Sequence, residues 1–159
     1  PVFSIIGNHD GISFGPEIWQ KVFGPLDFSF IYQNTKFVAY NDNKYEFENV
    51  PNRDWLSLEA EIQPGEIRNH TIGLSHIAPW DNDLSLSQHL KDSGFDHMIH
   101  AHVHKFDYWQ LEDVLLPHYE VADVEGAKFG LMGVHTSSLT LENCSQDCVP
   151  AQIRIEDIQ

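Results

Sequence analysis

Four histidines, His97, His100, His102 and His104, fall within eight positions, and two further polar clusters, Asn8-His9-Asp10 and Ser75-His76, each follow a short apolar run. Neutral imidazole binds Zn, Fe, Mn, Ni or Cu, and an Asn carbonyl adds a harder oxygen donor of the kind found where Mn or Fe also bind. A metal site is therefore the chemistry these residue types suggest if they converge. In an extended segment each His-x-His pair of His100, His102 and His104 would point both rings to the same side. Each cluster has a plainer reading as well. His76 fits a hydrogen-bonded core histidine, the His-x-His run an exposed strand face or a chance metal-scavenging surface, and Gly7-Asn8-His9-Asp10 an ordinary turn.

Convergence depends on the elements that carry the clusters. Val2 to Ile6 reads as a buried strand closed by Gly7, and Pro16 opens a short helix over Glu17 to Phe23. Two β-rich runs, Phe28 to Tyr32 and Thr35 to Tyr40, flank Gln33-Asn34 as a hairpin that Asp42-Asn43 ends. Trp55, Leu58, Glu59 and Ile62 share a helical face that stops at Pro64-Gly65. Thr71 to Leu74 is a strand, Asp83 to Lys91 a helix with Leu84, Leu86 and Leu90 apolar, and Met98-Ile99 a strand entering the histidine run. Four β-rich stretches follow, around Tyr108 to Leu111, Tyr119 to Ala122, Phe129 to Val134 and Ile153 to Ile155. The class is α/β, in one structural unit without repeats. All three polar clusters then lie just beyond the carboxyl ends of strands, where open α/β sheets bind ligands.

Composition bounds the partners. With 159 residues, 42% hydrophobic and 21% charged, the chain is neither disordered nor coiled-coil in type. Nine Lys plus Arg against 24 Asp plus Glu give a net charge of −15, which argues against nucleic acid as a partner. No run of 18 apolar residues is present, so no membrane-spanning helix is expected. Cys144 and Cys148 suit a small disulfide loop or two free thiols equally, and localisation stays open between secreted, periplasmic and cytoplasmic.

Ile5-Ile6-Gly7-Asn8-His9-Asp10, then Gly73-Leu74-Ser75-His76, then Met98-Ile99-His100-Ala101-His102-Val103-His104 resemble, in order and context, the last three motifs of the calcineurin-like metallophosphoesterases. The Phe28 to Asp42 hairpin and the Trp-Leu helix after it are similar to that family too. The resemblance implies a four-layer α/β/β/α sandwich with two mixed β-sheets, the stretch from Tyr108 to Ile155 supplying the second sheet. It implies a phosphatase or phosphodiesterase with two divalent or trivalent ions, Mn, Fe or Zn, acting on a phosphorylated small molecule or other phosphoester. Asn8, His76 and His102 would bind one ion and His104 the other. His9 would protonate the leaving alkoxide, oriented by Asp10, and a metal-bridging hydroxide would attack phosphorus.

Two departures accompany the resemblance. Ala101 stands where the family has glycine, which is costless only if its backbone φ is negative. The family's Asp-x-His and Gly-Asp-x-x-Asp motifs, which precede these three, are absent. Residues 1–159 are therefore expected to be the C-terminal part of a single metallophosphoesterase domain, inactive alone and exposing apolar surface. The alternatives are a non-catalytic binding or scaffold module on the same fold, and a mononuclear metal-binding protein using His100, His102 and His104. Trp80 and Trp109 would line a pocket or pack in the core.

Overall fold

The computed structural model describes residues 2–43, 49–79 and 84–156. Among them are a 3-10 turn at His9–Gly11, three α-helices and ten strands. The helices are α1 (Gly15–Val22), α2 (Arg53–Ala60) and α3 (Leu84–Ser93). The strands are β1 (Phe28–Tyr32), β2 (Thr35–Ala39), β3 (His70–Leu74), β4 (His97–His100), β5 (Asp107–Leu111), β6 (Pro117–Glu120), β7 (Phe129–Val134), β8 (Leu139–Cys144), β9 (Cys148–Pro150) and β10 (Arg154–Glu156). None of the helices is long and apolar enough to cross a membrane.

Seven strands form one mixed sheet in the order β1-β2-β3-β4-β6-β5-β10. Its centre is parallel: β2 with β3, β3 with β4, and β4 with β6. The carboxyl ends of these four strands thus share one edge, and β1 and β5 add antiparallel at the flanks. The β1–β2 hairpin turns at Gln33-Asn34 with Gln33 at φ 53°, as the polar pair between two β-rich runs predicts.

One face of the sheet carries the core. Val38, Tyr40, Met98 and Leu116 pack there with Leu56 and Ala60 of α2, Leu86 and Leu90 of α3, and Phe95. The opposite face meets a separate antiparallel sheet, β7-β8-β9. Tyr119 crosses that boundary, its hydroxyl bonding the Glu142 carbonyl and Asn143 Oδ1 at 3.1 and 2.7 Å. His70 Nε2 meets the His135 carbonyl at 2.7 Å in the same seam. Among the described residues α2 and α3, the seven-stranded sheet and the three-stranded sheet thus form three layers.

Several sequence expectations need correction. Residues 2–6 form no strand: Val2 is 93% exposed, and the Asn43 side-chain amide, rather than a ladder partner, donates to the Ile6 carbonyl at 3.1 Å. The buried side of α2 is Leu56 with Ala60, one turn apart, while Leu58 and Ile62 are 54% and 66% exposed. Glu59 instead pairs with Lys36 at 2.9 Å and accepts from Ser29. The stretch from Tyr108 onward does not make a second sheet by itself, because β5, β6 and β10 join the sheet of β2–β4. Only β7–β9 stand apart, and two of these, β8 and β9, were not anticipated from sequence. The α3 start expected at Asp83 falls outside the described residues, as does Trp80. Trp109 is buried and stacks on His118 with ring centroids 4.8 Å apart, a packing role.

Candidate metal centre

The shared carboxyl edge collects the polar clusters. β3 ends into Ser75-His76, β4 into His100-Ala101-His102-Val103-His104, and the turn carrying Asn8 lies against them. Asn8 is buried at the N-cap of the 3-10 turn. Its Oδ1 is 2.9 Å from His76 Nε2, and that nitrogen is 3.3 Å from His102 Nδ1. The two imidazoles meet edge to face with centroids 5.2 Å apart. Two donors each about 2.1 Å from a common ion sit about 3.0 Å apart at a right angle and about 3.4 Å apart at a tetrahedral angle. The Asn8–His76 and His76–His102 separations match that spacing, and a carbonyl oxygen with two imidazole nitrogens is a fitting donor set for Zn, Mn or Fe.

Gly7 lies against the Asp10 carboxylate and the His76 ring. A Cβ there would lie 3.1 Å from Asp10 Oδ2 and 3.5 and 3.6 Å from the Cε1 and Nε2 atoms of His76. The Asp10 carboxylate accepts from the Gly7 backbone N–H at 3.0 Å, closing the turn. Among the described residues no hydrogen bond joins Asp10 to His9. The reason is local: in the 3-10 turn the Asp10 carboxylate folds back over the turn's own amide. His9 is exposed beside Asn8.

The histidine run is not extended beyond His100. His102 and His104 adopt φ of 80° and 62°, while Ala101 keeps a negative φ, so the alanine at the usual glycine position carries no backbone strain. The Val103 amide bonds the Ala101 carbonyl at 3.1 Å, a γ-turn with His102 at its apex. The ring directions therefore come from this turn rather than from strand alternation. His100 is buried at the strand end, its centroid 5.9 Å from that of His118, and burial pushes its ring down to about 4. His104 is 70% exposed with Nδ1 3.5 Å from Asp123 Oδ2.

His100, His102 and His104 consequently do not assemble a mononuclear site. The one group of three His, Cys, Asp or Glu donors within 4.8 Å of one another among the described residues is Glu142, Cys144 and Cys148. The two sulfurs there are joined as a disulfide across the β8–β9 register pair, which resolves the choice between bridge and free thiols.

The same edge holds two carboxylates that the histidine pattern did not single out. Asp42, beyond β2, is fully buried and accepts from the Ile77 amide at 3.1 Å. Burial raises its carboxyl to about 7, opposed by hydrogen bonds from Ile77, Ser75 and the His76 backbone. Glu120, the last residue of β6, is buried and accepts from the Val103 amide at 3.0 Å. An acidic residue at the end of a β-rich run or shortly beyond it was the available sequence signal for both. No protein-family model matches the chain, and neither does any curated protein.

Proposed function

We propose that this chain carries the metal-binding edge of a metal-dependent phosphoric ester hydrolase of the calcineurin-like metallophosphoesterase type, on a four-layer extension of the three observed layers. The observation that supports it most is the gathering of Asn8 Oδ1, His76 Nε2 and His102 Nδ1 at ligand spacing on the carboxyl edge of a parallel sheet. These three residues would hold one ion, and His104, turned toward Asp123, would face a second. Bound ions of this kind supply Lewis-acid activation of water and neutralise charge on phosphoryl oxygens. His9, exposed on the 3-10 turn next to Asn8, is available to bind a phosphoryl oxygen and to deliver a proton to a leaving alkoxide. The substrate class is a phosphomonoester or phosphodiester.

The test is metal uptake and hydrolysis of p-nitrophenyl phosphate and its bis ester by the natural polypeptide that carries this chain, with Mn, Fe or Zn supplied. His76→Ala and Asn8→Ala should each lose metal and turnover together; hydrolysis unchanged in both variants rejects the proposal. A mononuclear metal-binding role is the second reading, favoured by the 70% exposure of His104, whose ring faces Asp123. It predicts one ion per chain, lost with His76→Ala, and no hydrolysis.

A further inference from the structure

We infer that Asp42 and Glu120 are positioning residues, two buried carboxylates that each clamp one histidine-bearing loop so that His76 and His102 present their donors to the same point. The inference rests on the metal-site reading above and concerns residues outside its ligand set.

The arrangement is paired. β2 and β6 are the outer neighbours of β3 and β4 in the parallel core, and each sends a carboxylate from its carboxyl end onto the loop of the adjacent inner strand. Asp42 Oδ1 takes the Ile77 amide at 3.1 Å, one residue past His76. The Ser75 hydroxyl closes the same turn onto the Ile77 carbonyl at 2.9 Å. On the other side, Glu120 Oε1 takes the Val103 amide at 3.0 Å, one residue past His102. That amide also closes the γ-turn onto Ala101, so the Glu120 carboxylate bonds the group that fixes His102 at φ 80°.

A histidine at positive φ persists only where its surroundings over-determine it. Backbone bonds tie the two loops together, Ala101 N to His76 O at 3.0 Å, and tie the end of β4 to β6, Val121 N to His100 O at 2.9 Å. Neither bond acts at the residue that follows a proposed ligand; the two carboxylates do. Burying a carboxylate is costly unless donors compensate it, and here each carboxylate accepts from an amide of the loop being held.

The experiment uses Co2+ as probe with the full chain and four variants, Asp42→Ala, Asp42→Asn, Glu120→Ala and Glu120→Gln. In metal-free protein, hydrogen exchange of the Ile77 amide should quicken in Asp42→Ala and that of Val103 in Glu120→Ala. The same variants should bind Co2+ about 10- to 100-fold more weakly, with an altered visible spectrum, while Asn and Gln, which keep a carbonyl acceptor, should stay within about threefold of the parent. Should an alanine variant fail to fold, Asp42→Ser or Glu120→Asp, which withdraws the acceptor by one methylene, takes its place with the same expectation. Folded variants with unchanged amide exchange and unchanged Co2+ affinity overturn the inference and leave the metal site standing. A parent chain that takes up no Co2+ rejects the metal site instead, and the exchange rates then decide whether the two loops are held by these carboxylates.

Discussion

Asn8 Oδ1 and His76 Nε2 lie 2.9 Å apart although 68 residues separate them in the chain. The contact is built from three independent pieces. Asn43 anchors the Ile6 carbonyl to the end of β2, β3 runs parallel beside β2, and Gly7 lies against the His76 ring. Because each piece is local, the contact can be perturbed without unfolding the sheet.

Gly7→Ala is the mildest such perturbation. The added methyl would sit 3.1 Å from Asp10 Oδ2 and 3.5 Å from the nearest His76 ring carbon, tighter than ordinary contact on one side only. The variant should stay folded, at a cost of about 1 kcal/mol from crowding. Its Co2+ affinity should stay within about threefold of the parent, because the Asp10 carboxylate, which is no proposed donor, yields while the His76 ring stays at ordinary contact distance. Isothermal titration beside a urea melt separates the two effects, and a loss of affinity equal to that of His76→Ala would show that the turn at Gly7 sets the ring.

The Cys144–Cys148 bridge closes a loop with a sequence separation of only four and pins β9, whose three residues are all exposed, to β8. Cys148→Ser should lower stability by about 2 kcal/mol, the loop-entropy value for so short a ring. Co2+ affinity should not change, since the bridge lies in the three-stranded sheet away from the candidate site. A drop in affinity equal to that of a ligand variant would mean that the two sheets are coupled more closely than their seam suggests.

Acid should destabilise this protein between about pH 6.5 and 4, above the ordinary carboxylate range. Burial pushes His97 and His100 down to about 4 and His118 well below its ordinary value, so the folded state holds all three neutral. In the unfolded chain they protonate as pH falls below about 6.5, so the unfolded state binds more protons and stability is lost between pH 6.5 and 4. Asp42 opposes this, because its carboxyl, raised to about 7, holds a proton in the folded state over the same range. Three groups outweigh one, and the urea midpoint should fall as pH drops through that window. His118→Gln should make the fall shallower, and a midpoint flat from pH 6.5 to 4 would contradict the buried neutral histidines.

Much of this framework was legible in the residues, and the parts that were not have physical reasons. Strand and hairpin positions around Phe28 to Tyr40, His70 to Leu74 and Phe129 to Val134 follow from β-branched and aromatic runs between turn residues. Sheet membership did not follow, because β5, β6 and β7 look alike locally and are sorted only by pairing partners distant in sequence. The segment from Val2 to Ile6 has strand composition but no ladder, and composition cannot report a partner. Histidine and asparagine types pointed to the carboxyl edge. The γ-turn at His102 was hidden, since it depends on the Glu120 carboxylate 17 positions away from the amide it holds.

His9 provides the sharpest separation between binding and chemistry. It sits next to Asn8 in a 3-10 turn, exposed, while Asn8 is buried against His76. Adjacent residues thus face different tasks: Asn8 toward the donor set, His9 toward solvent where a substrate would arrive. His9→Ala removes no donor from the Asn8, His76 and His102 set and leaves the Asp10 bond to the Gly7 amide in place. Metal content should therefore match the parent. Turnover of a phosphoester with a poor leaving group should fall by about 100-fold or more, the ordinary contribution of a general acid, and the loss should shrink for a leaving group such as p-nitrophenolate that needs no proton. An equal loss for both leaving groups would make His9 a phosphate-binding group without a proton-transfer role, and a loss of metal would place it in the ligand set with Asn8.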